Sequence, residues 1–251
     1  MGIIHTERRG KVAIVQLNRS VTNALDLQLV DELTETLQDV KHDADIHSLV
    51  LGSSNAKFFS IGFDIPQLFE LAREDFEVFY RAFNRACIDL YALPKPTMAA
   101  IAGHAIAGGC ILTLCCDYRY MAQDRKLMGL NEIKLGVPVP YPADCILRQI
   151  VGVRVAREIM ESGEFYPAEE LLRMGVVDRV VSLEQLMPKS IEKAEALGTL
   201  PQAAFARIKQ NRIESVKARI LRRLEERERF FIECWYSDGS RGRLKQAMEK
   251  F

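Results

Sequence analysis

The run from Thr97 to Cys116 is the longest apolar stretch in the chain, and glycines divide it. Thr97 to Ala102 reads as a short buried strand and Gly108 to Cys116 as a buried helix, joined through Gly103, His104, Gly108 and Gly109. An unbroken apolar segment of about 20 residues would read as a membrane span, and this interrupted one does not. A strand that hands over to a helix through a glycine turn belongs to a layered α/β architecture.

The start of the chain shows the same alternation. Ile3 to Thr6 and Val12 to Leu17 form a hairpin about Arg9-Gly10, and Ile46 to Leu51 returns as a strand. Between them, Asn23 or Asp26 caps a helix whose Leu25, Leu29, Leu33, Leu37 and Val40 share one face. Arg73 to Leu93 is a long helix with Phe76, Phe79, Phe83, Cys87 and Leu90 in register, stopped by Pro94 and Pro96. Asp117 to Ala122 is the next strand, and a loop with Pro138, Pro140 and Pro142 follows. From about Ala143 the chain is mostly helical, with one strand around Val176 to Val181. Gln202 to Phe251 is charged and amphipathic, carries the only tryptophan, Trp235, and packs on its own domain or on a neighbouring subunit. We expect one main α/β unit over residues 1–190 and a helical C-terminal region over 191–251.

Composition narrows the function. Lysine plus arginine (34) equals aspartate plus glutamate (34), so no global field recruits nucleic acid or an anionic membrane, and an anionic ligand has to be held locally. The six cysteines form no C-x-x-C pair and read as small buried hydrophobes of a reducing compartment. Met1 to Gly10 is polar after Ile4 and does not read as a secretory signal, so the expected location is cytoplasmic. His5, His42, His47 and His104 form no ligand cluster, and no metal site is expected.

Three segments can carry chemistry. In Ile101-Ala102-Gly103-His104-Ala105-Ile106-Ala107-Gly108-Gly109-Cys110, glycines at a helix entry permit close ligand approach and leave N–H groups unpaired, a setting that stabilises negative charge. Gly103 to Gly108 has P-loop spacing, but Gly109-Cys110 stands where lysine and serine or threonine are required, and G-x-G-x-x-G is absent. Close packing of a helix on a sheet asks for the same glycines. Phe58-Phe59-Ser60-Ile61-Gly62-Phe63-Asp64-Ile65 by itself is a turn or bulge; joined to the first segment it offers the second N–H donor that an oxyanion hole needs. Glu132, in Met128-Gly129-Leu130-Asn131-Glu132-Ile133-Lys134-Leu135-Gly136, sits among apolar residues, where desolvation raises a carboxyl toward the range of a general base. A solvated carboxylate, or a partner for Lys134, is the plainer reading.

Together with Leu17-Asn18-Arg19 through Asn23-Ala24-Leu25, these segments resemble the crotonase (enoyl-CoA hydratase/isomerase) family over most of the chain. The resemblance implies a spiral of β-β-α units with C-terminal helices that build a homotrimer or a dimer of trimers. It implies an acyl-CoA thioester as substrate and no separate cofactor. The backbone N–H groups of Phe63 and Gly108 would hold the thioester oxygen, with Ile61, Gly62, Asp64, Ile65 and Asn131 around the substrate and Glu132 as catalytic base. Arg19 and Lys57 would meet the coenzyme A phosphates. Hydratases of the family use two glutamates, and the first matches Ile111 here, which argues against activation of water. A single base suits a shift of the double bond from 3-enoyl-CoA to 2-enoyl-CoA. Dienoyl-CoA isomerases carry a further acid beyond Glu132, where this chain has Pro138, Val139 and Pro140. The alternatives are a hydratase or other lyase that borrows Asp144 or Glu164, and a silent acyl-CoA-binding subunit.

Overall fold

The computed structural model describes residues 2–123 and 125–249. The chain opens with β1 (Ile4–Arg9), β2 (Val12–Leu17), α1 (Leu27–His42), β3 (Ser48–Ser53) and β4 (Phe58–Ser60). α2 (Ile65–Phe69) and α3 (Arg73–Tyr91) lead to β5 (Thr97–Ile101), β6 (His104–Ile106), α4 (Gly108–Leu114), β7 (Tyr118–Ala122) and β8 (Leu127–Gly129). Then come α5 (Glu132–Leu135), α6 (Tyr141–Ser162), β9 (Phe165–Pro167), α7 (Ala168–Arg173), β10 (Arg179–Val181) and α8 (Leu183–Gly198). Two helices close the fold, α9 (Gln202–Trp235) and α10 (Asp238–Met248). Lys250 and Phe251, the end of the expected helical stretch, lie outside the described residues.

The strands form two sheets, ordered β1-β2-β3-β5-β7-β10 and β4-β6-β8-β9. From β2 onward the first sheet is parallel, as are β4, β6 and β8 of the second. The same step recurs along the chain. A strand joins the first sheet (β3, β5, β7), a short strand joins the second (β4, β6, β8), and helix follows. This is the expected spiral of β-β-α units.

The central strands of the first sheet, β2, β3 and β5, read as near-continuous apolar runs because alternate residues point to opposite faces and both faces are covered. Val15, Leu17, Leu49, Leu51 and Ile101 face the main core with α1 and α3, whereas Val12, Ile14, Val50 and Met98 face Leu186, Ile191 and Ala194 of α8. Because α8 covers the sheet, the boundary expected at residue 190 falls inside a helix of the core. The C-terminal helices proper begin at α9.

Two local expectations sharpen. Asp26 caps α1, its Oδ1 accepting from the Leu29 N–H at 2.9 Å. Asn23 is buried at φ 45°, and its Nδ2 donates to Ser53 Oγ (2.9 Å) and Phe59 O (3.1 Å), so it knits the N-terminal segment to β4. The strand expected over Val176 to Val181 is only Arg179–Val181, and β9 lies in a stretch expected to be helical.

The long helix α9 packs on its own domain. Lys209 Nζ reaches the buried Asp117 carboxylate at 2.7 Å, and Asp117 also accepts from the Thr97 N–H at 2.9 Å. At the other end Trp235 stacks on Phe76 of α3, ring centroids 4.4 Å apart. Anchored at both ends, α9 presents Phe231 and Trp235 to the cavity described next.

Candidate active site

The three sequence segments emerge from the C-terminal ends of adjacent parallel strands. Gly62 and Phe63 follow β4, Ala107 and Gly108 follow β6, and Asn131 and Glu132 follow β8. Ligands in open α/β sheets collect at such ends. Here the loops wall a cavity of about 790 Å³ whose lining is mostly apolar.

Two backbone N–H groups are freed by peptide geometry. In a trans peptide the N–H points opposite to the preceding carbonyl. Gly62 O accepts from the Leu25 N–H (2.7 Å) and the Asp64 N–H donates to Leu25 O (2.9 Å), so the Phe63 N–H is turned away from Leu25. Ala107 O accepts from the Ile111 N–H (2.9 Å) inside α4, so the Gly108 N–H points back out of the helix start. Neither N–H has a protein acceptor among the described residues. Ala107 itself sits at φ 47°, ψ −117°, unfavourable for alanine, and is held there as its N–H donates to Gly129 O at 2.9 Å.

The glycines divide the work between packing and access. A Cβ on Gly109 would stand 2.3 Å from Ser60 O, so Gly109 is the glycine that lets α4 pack on β4. Gly62 and Gly108 instead press the two donor loops together: a Cβ on Gly62 would lie 3.0 Å from Gly108 N, and one on Gly108 3.4 Å from Gly62 Cα. The packing reading of the turn thus falls on Gly109, and the close approach of the two loops on Gly62 and Gly108.

Glu132 opens the one-turn helix α5 and lines the cavity at 5% exposure. Burial lifts its carboxyl from 4.5 to about 7, and its Oε2 has no hydrogen-bond partner among the described residues. Lys134 is not its partner; Lys134 Nζ turns out to Glu164 at 2.7 Å. Asn131, also on the lining, has a buried Oδ1 with no hydrogen-bond partner among the described residues. Ile111, 1% exposed, lines the cavity from α4.

The other expected residues are placed as follows. Ile61, Phe63, Asp64 and Ile65 line the cavity, with Gly62 beneath them. Asp64 is engaged: Oδ1 caps α2 at the Gln67 N–H (3.2 Å) and Oδ2 meets Arg19 (2.9 Å). Arg19 lines the wall, but its guanidinium is held by Asp64, by Asp26 (3.0 Å) and by Ala24 O (2.9 Å), a network that fixes the first loop. Lys57 is exposed, outside the lining, with Nζ 5.8 Å from the ring of Phe58, which does line the cavity. His104 lines the cavity, and its Nδ1 accepts from the Leu127 N–H at 3.1 Å. Asp144, paired with Arg148 at 2.5 Å, and Glu164 are both absent from the lining.

A model of the enoyl-CoA hydratase/isomerase family matches residues 7–251. The chain belongs to that family. Among family members, enoyl-CoA delta isomerase 1, mitochondrial, of Mus musculus is 31% identical over 189 residues, 75% of this chain and 65% of that protein. This chain thus matches just under two thirds of the mouse protein's length. The short-chain-enoyl-CoA hydratase of Clostridium acetobutylicum is 27% identical over 245 residues, 97% of this chain and 94% of that protein. The crystal structure of human mitochondrial delta3-delta2-enoyl-CoA isomerase superposes with a TM-score of 0.95 at 25% identity, covering 99% of this chain and 97% of that one. Isomerases and hydratases of the enoyl-CoA hydratase/isomerase family thus stand side by side among its relatives, and the reaction has to be read from the cavity.

Sequence reasoning missed the far wall. Phe231 and Trp235 of α9 and Ala247 of α10 line the cavity about 100 residues beyond Glu132. Their one local signal is the four-residue spacing of two large aromatics on an otherwise charged helix, which marks a buried stripe and not what it faces.

Proposed function

We propose that this chain moves the double bond of a 3-enoyl-CoA to the 2-position by a single-base proton shift. The observation that carries the reading is the carboxylate inventory of the cavity. Asp64 and Glu132 are the carboxylates on the described lining, Asp64 is held by Arg19 and the α2 cap, and the wall at Ile111 is apolar. One base is left. Glu132 takes the C2 proton, and the C2–H electrons form the C1–C2 double bond as the carbonyl electrons move to the thioester oxygen. The resulting dienolate is held by the N–H groups of Phe63 and Gly108, whose bonds strengthen as charge develops. Protonated Glu132 then returns the proton at C4: the C3–C4 double-bond electrons form the new C4–H bond, the C1–C2 pair moves to C2–C3, and the oxyanion electrons re-form the thioester carbonyl. Atoms and electrons balance without a metal or redox cofactor.

Supporting this reading, a base must be ionised and near its working pH, and burial sets Glu132 at about 7. Isomerase turnover is expected to rise with pH through about 7, as Glu132 loses its proton. A profile flat from pH 5 to 8 speaks against Glu132 as the base. Assaying 3-hexenoyl-CoA beside crotonyl-CoA tests the reaction itself. Isomerisation is expected to exceed hydration by at least about 10²-fold, the usual contribution of a missing acid–base group. Comparable hydration, abolished by a change at Asp144 or Glu164, overturns the isomerase reading. Protein that binds the thioester and shifts no double bond at any chain length is a silent binding subunit instead.

Lys57, at the rim, is the group proposed for the coenzyme A phosphates, since the Arg19 guanidinium is already held. The reading includes a homotrimer or a dimer of trimers, supported by Ile208 and Leu221, exposed on α9 at 68% and 50%. It keeps the cytoplasmic location on the strength of six free cysteines. No helix among the described residues is long and apolar enough to cross a membrane.

A further inference from the structure

The base sits on a fragile element. α5 is one turn long, Glu132–Leu135, and ends at Gly136 in the left-handed region (φ 82°). A single turn has little stability of its own, so its position depends on what packs against it. What packs against its end is α10. Ser240, 2% exposed, donates from Oγ to Gly136 O at 2.8 Å, and a Cβ on Gly136 would come within 2.8 Å of that Oγ and 3.2 Å of Ser240 Cα. The next residue holds the opposite wall. Arg241 donates from Nη2 to Phe69 O, the last residue of α2, at 2.8 Å, and its guanidinium lies 3.3 Å from the Phe69 ring centroid. Tyr236, just before α10, donates its hydroxyl to Leu71 O at 2.9 Å. α2 begins directly after Asp64, so it continues the loop that carries the Phe63 N–H.

We infer that Ser240 and Arg241 are positioning residues that clamp the two halves of the active site, Ser240 fixing the turn that aims Glu132 and Arg241 fixing the loop that aims the Phe63 donor. The inference rests on the proposed roles of Glu132 and Phe63. Adjacent residues of α10, the buried Ser240 and the half-buried Arg241, make the two contacts, so the distance between base and oxyanion donor is set by α10 as a rigid bar. Leu244, fully buried one turn further on, seats that bar in the core. Displacement of a reacting group by about 1 Å can cost on the order of 10²-fold in rate, so loss of either end of the clamp should be felt in turnover.

The test compares Ser240→Ala, Ser240→Thr and Arg241→Lys with wild type in the 3-hexenoyl-CoA assay across pH, with hydrogen–deuterium exchange over residues 130–137. For Ser240→Ala we expect kcat to fall by roughly 10- to 100-fold with KM within about twofold, faster exchange at 130–137, and a pH midpoint below about 7 as water reaches the carboxyl. Ser240→Thr, which keeps the hydroxyl, should restore all three. Arg241→Lys should lower kcat and leave the midpoint in place, because it loosens the donor and not the base. A folded Ser240→Ala protein with wild-type kcat, midpoint and exchange overturns the clamp. So does equal loss in Ser240→Ala and Ser240→Thr, or a midpoint shift common to both positions. Should Ser240→Ala not fold, Ser240→Thr and Arg241→Lys decide by the same readouts. If wild type shows no isomerase activity the reading of the site fails, while unchanged exchange at 130–137 in Ser240→Ala identifies failure of the clamp separately.

Discussion

Glu132→Gln is expected to lower 3-enoyl-CoA isomerisation by at least about 10³-fold while leaving thioester binding within a few-fold of wild type. The amide keeps the shape of the side chain and removes its ability to take a proton, and no second carboxylate on the described lining is placed to replace it. The same substitution should stabilise the fold above neutral pH. Glu132 titrates at about 7 in the folded protein against 4.5 as a free side chain, so the folded state binds its proton more tightly than the unfolded state. Its stabilising contribution is present below pH 4.5 and is lost as pH rises through about 7. In urea titrations the stability of Glu132→Gln relative to wild type should therefore grow by roughly 2–3 kcal/mol between pH 5 and pH 8. Two independent measurements meet on one residue. Activity retained in the variant dismisses the single-base reaction, whereas a stability difference independent of pH dismisses the buried, proton-retaining carboxyl.

That coupling also explains how much of the site could be read in advance. Glu132 was visible because its neighbours in sequence, Leu130, Ile133 and Leu135, already imply an apolar setting, and desolvation is the first cause of its raised value. Gly62 was visible because its glycine requirement is local, a φ of 94°; Gly108 was visible only through its place in the strand-to-helix turn, since what its missing side chain would meet, Leu25 and Phe63, comes from distant segments. The β-β-α spiral, in contrast, depends on β4, β6, β8 and β9, each of three residues. Three residues cannot display a period of two, so these strands carry no pattern of their own and form because neighbouring strands supply their hydrogen bonds. The roles of Arg19, Asp64 and Lys134 were equally hidden. Which opposite charge each one meets is decided by chain segments that fold together, and Lys134 met Glu164 instead of Glu132. The α9–α10 wall was hidden for the same reason, since Trp235 and Glu132 become neighbours of one cavity only in three dimensions.

Gly62→Ala should be the second most damaging single change to turnover, and a matched control can show why. Gly62 is at φ 94°, and a Cβ there would lie 3.0 Å from Ala107 Cβ, Gly108 N and Ile106 O. The substitution both strains the backbone and wedges the two loops apart, so under the proposed reaction a thioester oxygen would no longer reach both N–H groups at bonding distance. Loss of one oxyanion donor typically costs about 10²–10³ in rate, and that is the expected fall in kcat. Gly10→Ala carries the same kind of backbone strain, φ 56°, with nothing within 4 Å of the new Cβ and a place on the β1–β2 hairpin away from the cavity. Both variants should lose stability by about 1–2 kcal/mol from the left-handed conformation alone. Only Gly62→Ala should lose turnover, and it should do so with Glu132 still titrating near 7 in the residual activity, because the base lies on another strand end. Equal turnover in the two variants would show that the contact between the Gly62 and Gly108 loops serves packing alone, and the oxyanion would then have to be held elsewhere.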